Sequence, residues 1–262
     1  MRRAARRHRG TGFYGHSPAR CIRSLCISGL GILTSASFAQ TTDRIWSLYT
    51  GDSFTDRSAI RLSQPGSKTN LRFHGVRWHS APHELAPYYG IRYMEFPKRK
   101  PWLGFAIEWN HFKAIANLDG TVRVTGVREG QPVNRDERLG DTFGRFECTN
   151  GVSHLTLNVV VRTTGHVGSS PRIRFGGYAG IGAGPVIVHP IISVGGGGAR
   201  GYRYGGFNWQ AFAGIEYRMN PATSVFLEGK LTDRSYDFDL DSGEASARFR
   251  TTHLALGLNW RK

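Results

Sequence analysis

The sequence has no run of 18 consecutive apolar residues, which excludes a typical membrane-spanning helix. It has only three cysteines, and two of them lie in an N-terminal region that we expect to be removed. Cys148 therefore has no intramolecular disulfide partner in the mature chain. Residues 1–39 contain seven arginines and no lysine, aspartate or glutamate. Residues 40–262 carry 28 basic and 19 acidic side chains, so much of the formal charge of +16 belongs to the N-terminal region.

Motifs for several common functions are also missing. There is no Walker loop, nucleophile elbow, paired CxxC or recognised nucleic-acid-binding motif, and the short basic run 98–100 does not predict a nucleic-acid partner. The glycine-rich run 180–184 is followed by Pro185 and a β-rich segment, so it does not open the helix that a dinucleotide site requires. A loop cluster is chemically suited to metal binding but matches no metal-site spacing, and it is interpreted as solvated: His74, His79, His83 and Glu84.

The N-terminal region has the layout of a secretory signal peptide. An arginine-rich start precedes the apolar stretch 26–33, and small residues follow up to Ala39. We predict that residues 1–39 are a cleaved signal peptide and that residues 40–262 are the mature domain, beginning at Gln40. A mitochondrial transit peptide is the alternative, but the compact apolar stretch favours secretion. The basic region is long, so the true start codon is not fixed by the sequence.

Most of residues 40–262 alternates with a period of two between large apolar side chains and glycine, charged or amide side chains. This alternation predicts an all-β, antiparallel fold. Segment 71–78 is interpreted as a structured excursion within the first external loop rather than as a ninth barrel strand. Eight strands are predicted, near 44–51, 89–94, 103–110, 155–162, 172–184, 203–218, 225–232 and 251–260.

The polar face of these strands holds charges of both signs, which favours a closed transmembrane β-barrel. In a small barrel the lumen is filled by side chains and its charges must pair, while the apolar face meets lipid. We predict that Glu108, Arg162, Glu228 and Lys230 face inward and pair. A signal peptide with such a barrel indicates the bacterial outer membrane. A soluble barrel is the alternative, and a pore is disfavoured because eight strands leave little lumen.

Several polar residues fall at strand ends that the strand directions place toward the external rim. They are Glu108, His111 and Lys113 on one strand, Glu147 before the next strand, and His189 after the glycine-rich strand. Carboxylate and imidazole groups can move protons or hold a divalent or redox metal. Rim polarity and lumen pairing are the alternative explanation for the same residues.

Parts of residues 87–260 resemble outer-membrane β-barrel proteins known as lipid A oxidases. The resemblance implies an eight-stranded barrel that oxidises the proximal glucosamine of lipid A to an aminogluconate unit with oxygen. It matches Glu108, His111 and Lys113 to a family E-x-x-H-x-K run, and Glu147 and His189 to family positions. The chain departs from the family at Asn150, where an aspartate is frequent, and at Gly229. The segments that carry the resemblance are 87–92, 104–113, 155–158, 180–189 and 225–230.

These observations lead to one functional hypothesis and one alternative. The hypothesis is an enzyme that binds and oxidises lipid A. Glu108, His111, Glu147 and His189 would be catalytic, and His111, His189 and Glu147 would hold a metal. Lys113 would bind the substrate phosphate. The alternative is a non-catalytic structural or interaction barrel.

Overall fold

The computed structural model describes residues 43–163, 175–195 and 197–262. Two short 3-10 turns, Pro65–Ser67 and Leu139–Asp141, interrupt an otherwise all-β chain in these ranges. No helix among these residues is long and apolar enough to cross a membrane. The strands are β1 (Asp43–Thr55), β2 (Ser58–Gln64), β3 (Thr69–Val76), β4 (Trp78–His79), β5 (Tyr89–Phe96), β6 (Leu103–Ala116), β7 (Thr121–Arg128), β8 (Gln131–Arg138), β9 (Phe143–Arg162), β10 (Phe175–Val188), β11 (Ile191–Val194), β12 (Gly197–Arg200), β13 (Arg203–Arg218), β14 (Thr223–Leu240) and β15 (Gly243–Arg261).

Eight of these strands close into an antiparallel barrel in the order β1-β5-β6-β9-β10-β13-β14-β15, with β15 pairing back to β1. The prediction of an eight-stranded antiparallel barrel is confirmed. Following paired residues around the barrel from Trp46 leads to Arg250, whose carbonyl accepts from the N–H of Asp56, the residue after β1 and ten residues beyond Trp46. Such a stagger accompanies strands tilted by about 35–45° to the barrel axis. The path runs through Trp46, Tyr93, Ile107, Leu157, Ala183, Trp209, Asp233 and Arg250.

The outer wall of the barrel carries a continuous apolar band. On β14 the outward side chains are apolar up to Leu231 and become polar from Asp233 onward, and on β15 Arg250 marks the same change. On β6 the outward series ends at Trp109. The exposed members of the band are Trp46, Leu48, Ile91, Phe105, Ile107, Leu155, Leu157, Val159, Val161, Phe175, Ile181, Phe207, Trp209, Ile215, Leu227, Leu254, Leu256, Leu258 and Trp260.

The lumen at the level of this band is filled by a buried charge network. Arg92 donates to Glu228 at 2.6 and 2.7 Å and to Glu108 at 3.1 Å. The Lys230 ammonium also contacts Glu108, and it donates to the Tyr49 hydroxyl at 2.9 Å. Two cations thus balance two carboxylates, as a low-dielectric lumen requires.

Arg162 is an exception to the predicted lumen network. Its Nη1 donates to Asp43 Oδ2 at 2.6 Å, and its guanidinium lies 3.8 Å from the centre of the Phe96 ring. Since Asp43 begins β1 and Arg162 ends β9, this pair closes the barrel end that carries the short turns. Arg162 therefore faces inward and is paired, as predicted, but its partner is Asp43 at the barrel end and not a member of the central network.

Beyond the apolar band, the chain builds a second, apolar interior. Segment 71–78 contributes β3, which pairs with β2 and β7 and is not one of the eight barrel strands. This agrees with the prediction that the segment is an excursion and not a ninth barrel strand. Residues 115–149 and 188–202, which lie between the predicted strands, are themselves largely strands, including β7–β8 and β11–β12. Buried side chains close this end of the lumen, which argues against the pore: Phe73, Phe143, Phe146, Phe238 and Phe249.

Three sequence predictions lie outside the described residues. They concern the signal peptide 1–39, the mature start at Gln40, and the start of the strand predicted near 172–184, which falls in the segment 164–174.

Candidate functional site

Strand alternation places Glu108 and His111 on opposite sides of the barrel wall. Positions three apart on a strand point to opposite faces. Glu108 points into the lumen, where it also accepts from Gln210 Nε2 at 2.8 Å. His111 points outward, on the same face as Trp109. The structure therefore does not bring Glu108 together with His111.

A bulge in β9 shapes the wall around His111. Phe112 pairs with Val152 and Ala114 pairs with Cys148, so three β9 residues, 149–151, oppose the single residue Lys113. Gly151 has a φ of +102°, a backbone conformation that favours glycine. The extra residues cover the wall over Lys113 and His111, which are both buried.

The His111 ring is fixed by contacts with neighbouring side chains. It stacks on the Tyr89 ring at 5.2 Å between centroids, and its Nδ1 lies 3.0 Å from Ser153 Oγ. The hydroxyl of Tyr89 in turn accepts from Trp109 Nε1 at 3.3 Å. The buried Nε2 of His111 has no hydrogen-bond partner among the described residues.

Lys113 carries the positive charge of this region. Its side chain is buried, and no carboxylate of the described residues lies within 4.0 Å of its ammonium. Since no carboxylate balances this ammonium, a bound anion would be attracted to it. Lys113 is the cation of the region, and the imidazole of His111 beside it can accept or donate a hydrogen bond.

His189 approaches the same bulge from the end of β10. Its backbone N–H donates to the Gly151 carbonyl at 3.1 Å, and its ring packs edge-on against Tyr202 at 4.6 Å. Its Nδ1 is buried without a hydrogen-bond partner among the described residues. We call the outward group around Gly151, formed by Tyr89, His111, Lys113, Ser153 and His189, the wall site.

Glu147 lies at the margin of the wall site. It is on the outward face of β9, where it accepts from Thr149 Oγ1 at 3.1 Å and lies 3.6 Å from Arg145 Nε. Its charge is therefore already balanced by Arg145, and Thr149 connects it to the bulge. Lys113 does not use it as a counter-ion.

The predicted metal ligands do not form a metal site in this arrangement. Within residues 43–163, 175–195 and 197–262, no three His, Cys, Asp or Glu side chains are grouped closely enough to hold an ion. This applies to His111, His189 and Glu147. It also applies to the histidines that the sequence placed in a loop; of these, His74 lies on β3 and contacts Thr125 Oγ1 at 2.9 Å. The donor set present does not fit a resident metal.

An apolar groove of about 530 Å³ adjoins the wall site on the outer surface. Tyr89 lines the groove and also stacks on His111, so the two features share a side chain. Thr50 Oγ1 donates to the Tyr88 carbonyl at 2.9 Å, and this hydrogen bond holds the segment before β5 against β1. The other outward side chains of the groove are Leu48, Val225, Leu256 and Leu258.

Sequence reasoning found four residues of this region but missed its organisation. Tyr89, Ser153 and Gly151 were not singled out, although each is a cross-strand neighbour or contact of His111. The strand alignment 89–94 against 103–110 would have placed Tyr89 near His111. The bulge at Gly151 has no signal in the period-two pattern.

Solved structures with a similar chain path are bacterial barrels at low sequence identity. Neisserial surface protein A matches at 8% identity and a TM-score of 0.38, over 84% of this chain and 99% of that one. The outer membrane protein AlkL matches at 11% and 0.39, over 95% and 97%. The attachment invasion locus protein Ail of Yersinia pestis matches at 12% and 0.33, over 84% and 99%. No protein-family model and no curated protein matches the sequence.

Proposed function

We propose that the chain is an integral protein of the bacterial outer membrane that binds lipid A at the wall site. The support is the chain's own geometry. Closure leaves no unpaired strand edge in the barrel, and the outward side chains form an apolar band, as a bilayer demands. The turns 97–102 and 219–222 are short and lie at the end where β1 begins and β15 ends. That end would face the periplasm, and the strand-rich extensions would face outside.

The observation that carries the lipid A proposal is the buried Lys113 on the outward side of the wall. It lies four residues beyond Trp109 and two beyond His111, the cross-strand partner of Tyr89, at the outer margin of the apolar band. Lipid A is a phosphorylated glucosamine disaccharide with acyl chains, so its phosphate would supply the missing counter-ion. The groove lined by Leu256 and Leu258 would take an acyl chain.

The reaction proposed for this site is the one that the family resemblance implies, oxidation of the proximal glucosamine. The residues present would bind and orient the sugar, and His111 would accept the proton of the C1 hydroxyl through Nε2. Dioxygen would take the two electrons and two protons lost from C1 and leave as hydrogen peroxide, and water would then open the resulting lactone to the aminogluconate. His189 would hold a second polar group through Nδ1. Glu108 is separated from the wall site by the barrel wall, so its role here is to keep the lumen network neutral. No metal-dependent step is proposed for these side chains.

Mass analysis of lipid A from intact cells tests this proposal. Cells that make the wild-type protein should contain lipid A with one additional oxygen on the glucosamine, and cells without it should not. Lys113→Gln, His111→Ala and His189→Ala should each lower the oxidised fraction while inserting normally. Lys98→Gln is the matched control, because Lys98 is exposed in the turn at the opposite end of the barrel.

The outcomes separate the two hypotheses. Full oxidation in all three wall-site variants would contradict the site. Unmodified lipid A in wild-type cells would favour the non-catalytic barrel, and a binding measurement would then decide whether lipid A is still a ligand. In that measurement, purified wild type should retain phosphorylated lipid A better than its dephosphorylated form, and Lys113→Gln should not distinguish them.

A further inference from the structure

A polar depression, separate from the wall site, lies on the outward face of four strands beyond the apolar band. The strands β14, β15, β2 and β3 run side by side there, and their outward residues align in two cross-strand rows. One row crosses the sheet just above the other. The first row is Asp237, Ser246, Arg61 and Arg72, and the second is Asp239, Glu244, Ser63 and Asn70.

The centre of the two rows is hollow because it holds the smallest side chains. Ser246 and Ser63 are flanked by longer side chains on either strand, and the resulting depression has a volume of about 300 Å³. That is the lower end of the range for small-molecule sites. The outward side chains lining it are Arg61, Ser63, Asn70, Asp237, Glu244 and Ser246.

The charged side chains around the depression include two like-charged cross-strand pairs. Arg61 lies directly opposite Arg72, and Asp239 lies directly opposite Glu244. Like charges in these positions destabilise a β-sheet. Neither arginine has a carboxylate of the described residues within 4.0 Å.

The same face shows that arginines can pair where the sequence allows it. Arg248 donates to both carboxylate oxygens of Asp233 at 2.7 and 2.5 Å, and Arg123 lies 3.3 Å from Asp136. Arg61 and Arg72 lie side by side without such a partner. An anion bound between them would offset their repulsion.

We propose that this depression binds a sugar phosphate unit of a glycan outside the membrane. Arg61, which lines the depression, and Arg72, its cross-strand neighbour just outside the lining, would hold the phosphate at one edge. The carboxylates of Asp237 and Glu244 would accept hydrogen bonds from sugar hydroxyls, and Asn70 and the serines would donate or accept others. The proposed source is the saccharide of outer-leaflet lipopolysaccharide, and only this source depends on the proposed outer-membrane location.

This site is distinct from the wall site. The wall site lies on β5, β6, β9 and the end of β10, whereas the depression lies on β14, β15, β2 and β3. Ser246 is six residues beyond Thr252, after which Arg250 begins the charged part of the outward face of β15, and six residues span about 20 Å along a strand. One lipid A headgroup cannot occupy both.

Binding of three small probes to the purified full-length protein in phosphatidylcholine nanodiscs tests the proposal. The probes are glucose 6-phosphate, glucose and inorganic phosphate, followed by ligand-observed NMR. Glucose 6-phosphate should bind at least about tenfold more tightly than either other probe, since charge-assisted hydrogen bonds add to those of the hydroxyls. The double variant Arg61→Gln/Arg72→Gln should lose about tenfold or more of that affinity.

A charge-matched control makes the test specific. Arg123→Gln/Arg248→Gln removes two positive charges from the same face but leaves the depression intact, so it should bind glucose 6-phosphate like wild type. Ser246→Leu keeps every charge and fills the hollow, so it should lose binding. Lys113→Gln, at the wall site, should have no effect, which separates this proposal from the proposed function.

Two results would overturn the proposal. One is equal binding of glucose 6-phosphate and inorganic phosphate, which would indicate a general anion surface. The other is equal loss of binding in the charge-matched control. Thermal unfolding gives a further check, because removing Arg61 and Arg72 should not lower stability if the pair serves a ligand rather than the fold.

Discussion

The imidazole of His111 occupies the space that a side chain at Gly151 would need. A Cβ at Gly151 would lie 1.8 Å from His111 Cε1, closer than any two such atoms can come. The β9 backbone and the ring therefore fix each other, and Tyr89 supports the ring from the other side. This contact explains why a glycine stands in the bulge.

Gly151→Ala should displace the His111 ring and disable the wall site. A shift of about 1 Å in a reacting group can cost about a hundredfold in rate, so oxidised lipid A should nearly disappear. The measurement is mass analysis of lipid A, with barrel insertion followed by heat-dependent gel mobility.

Gly201→Ala is the control for this change. Gly201 has a similar φ of +109°, but a Cβ there would contact nothing within 4 Å. It should therefore share the backbone strain and keep the activity. Equal loss of activity in both variants would mean that strain, and not His111, is responsible.

Glu228→Ala should strongly destabilise the barrel. It leaves Arg92 and Lys230 in the lumen with only Glu108 to balance them, and removal of one partner of a buried pair typically costs about 3–5 kcal/mol. The free energy of unfolding in detergent, measured by urea titration, gives the value.

Asp43→Ala is the comparison at the rim of the same barrel. Its pair with Arg162 is partly solvated, so the expected loss is about 0–1 kcal/mol. If the two variants unfold at the same urea concentration, the central network does not have the role assigned to it.

Acid should loosen the external hairpin β7–β8 through Glu137. Hydrogen bonds from Arg128, at 3.0 and 2.7 Å, lower the pKa of Glu137 in the folded protein, and Arg135 adds to the effect. A carboxylate with a lowered folded pKa stabilises the fold above its unfolded pKa of about 4.3, and that contribution is lost as the pH falls below it.

Amide-exchange protection of β8, corrected for intrinsic exchange, should therefore fall between about pH 5 and pH 3. In Glu137→Gln it should be low and nearly independent of pH. Asp136→Asn should behave like wild type, because the Asp136–Arg123 pair is exposed. A flat wild-type profile would contradict the assignment.

Export should remove residues 1–39 and leave Gln40 as the first residue. The physical reason is the order of a basic start, an apolar stretch and small residues before the cleavage point. N-terminal sequencing of the membrane-purified protein identifies the first residue. A mature chain that starts well before residue 30 would contradict the signal-peptide prediction.

The period-two pattern was sufficient to predict the barrel because each strand buries one face and exposes the other. Leu254, Leu256 and Leu258 alternate with buried residues along β15 in the way the sequence indicates. The strand ends were less predictable. Beyond Asp233 the outward residues of β14 become polar, which resembles a loop in sequence, yet Tyr236 and Phe238 continue the inward face.

The candidate site was predictable only in part. His111, Lys113 and His189 do lie around one point, since all three follow the outward face near the ends of their strands. Their grouping with Glu108 failed because the E-x-x-H spacing suits a helix face and divides across a strand. The bulge in β9 and the hydrogen bond between Thr50 and the Tyr88 carbonyl depend on tertiary contacts, which a local sequence pattern does not contain.

The pairing of β1 with β15 has a consequence for how the protein is made. These two strands are the first and last of the barrel, so their contacts span nearly the whole mature chain. Contacts of such long sequence separation form late, because the entropy of closing the loop must be overcome first. The barrel therefore has to remain an open sheet, with the edges of β1 and β14 unprotected, until β15 arrives. A chain that stops before Gly243 would keep both edges exposed and would be expected to aggregate or be degraded during assembly.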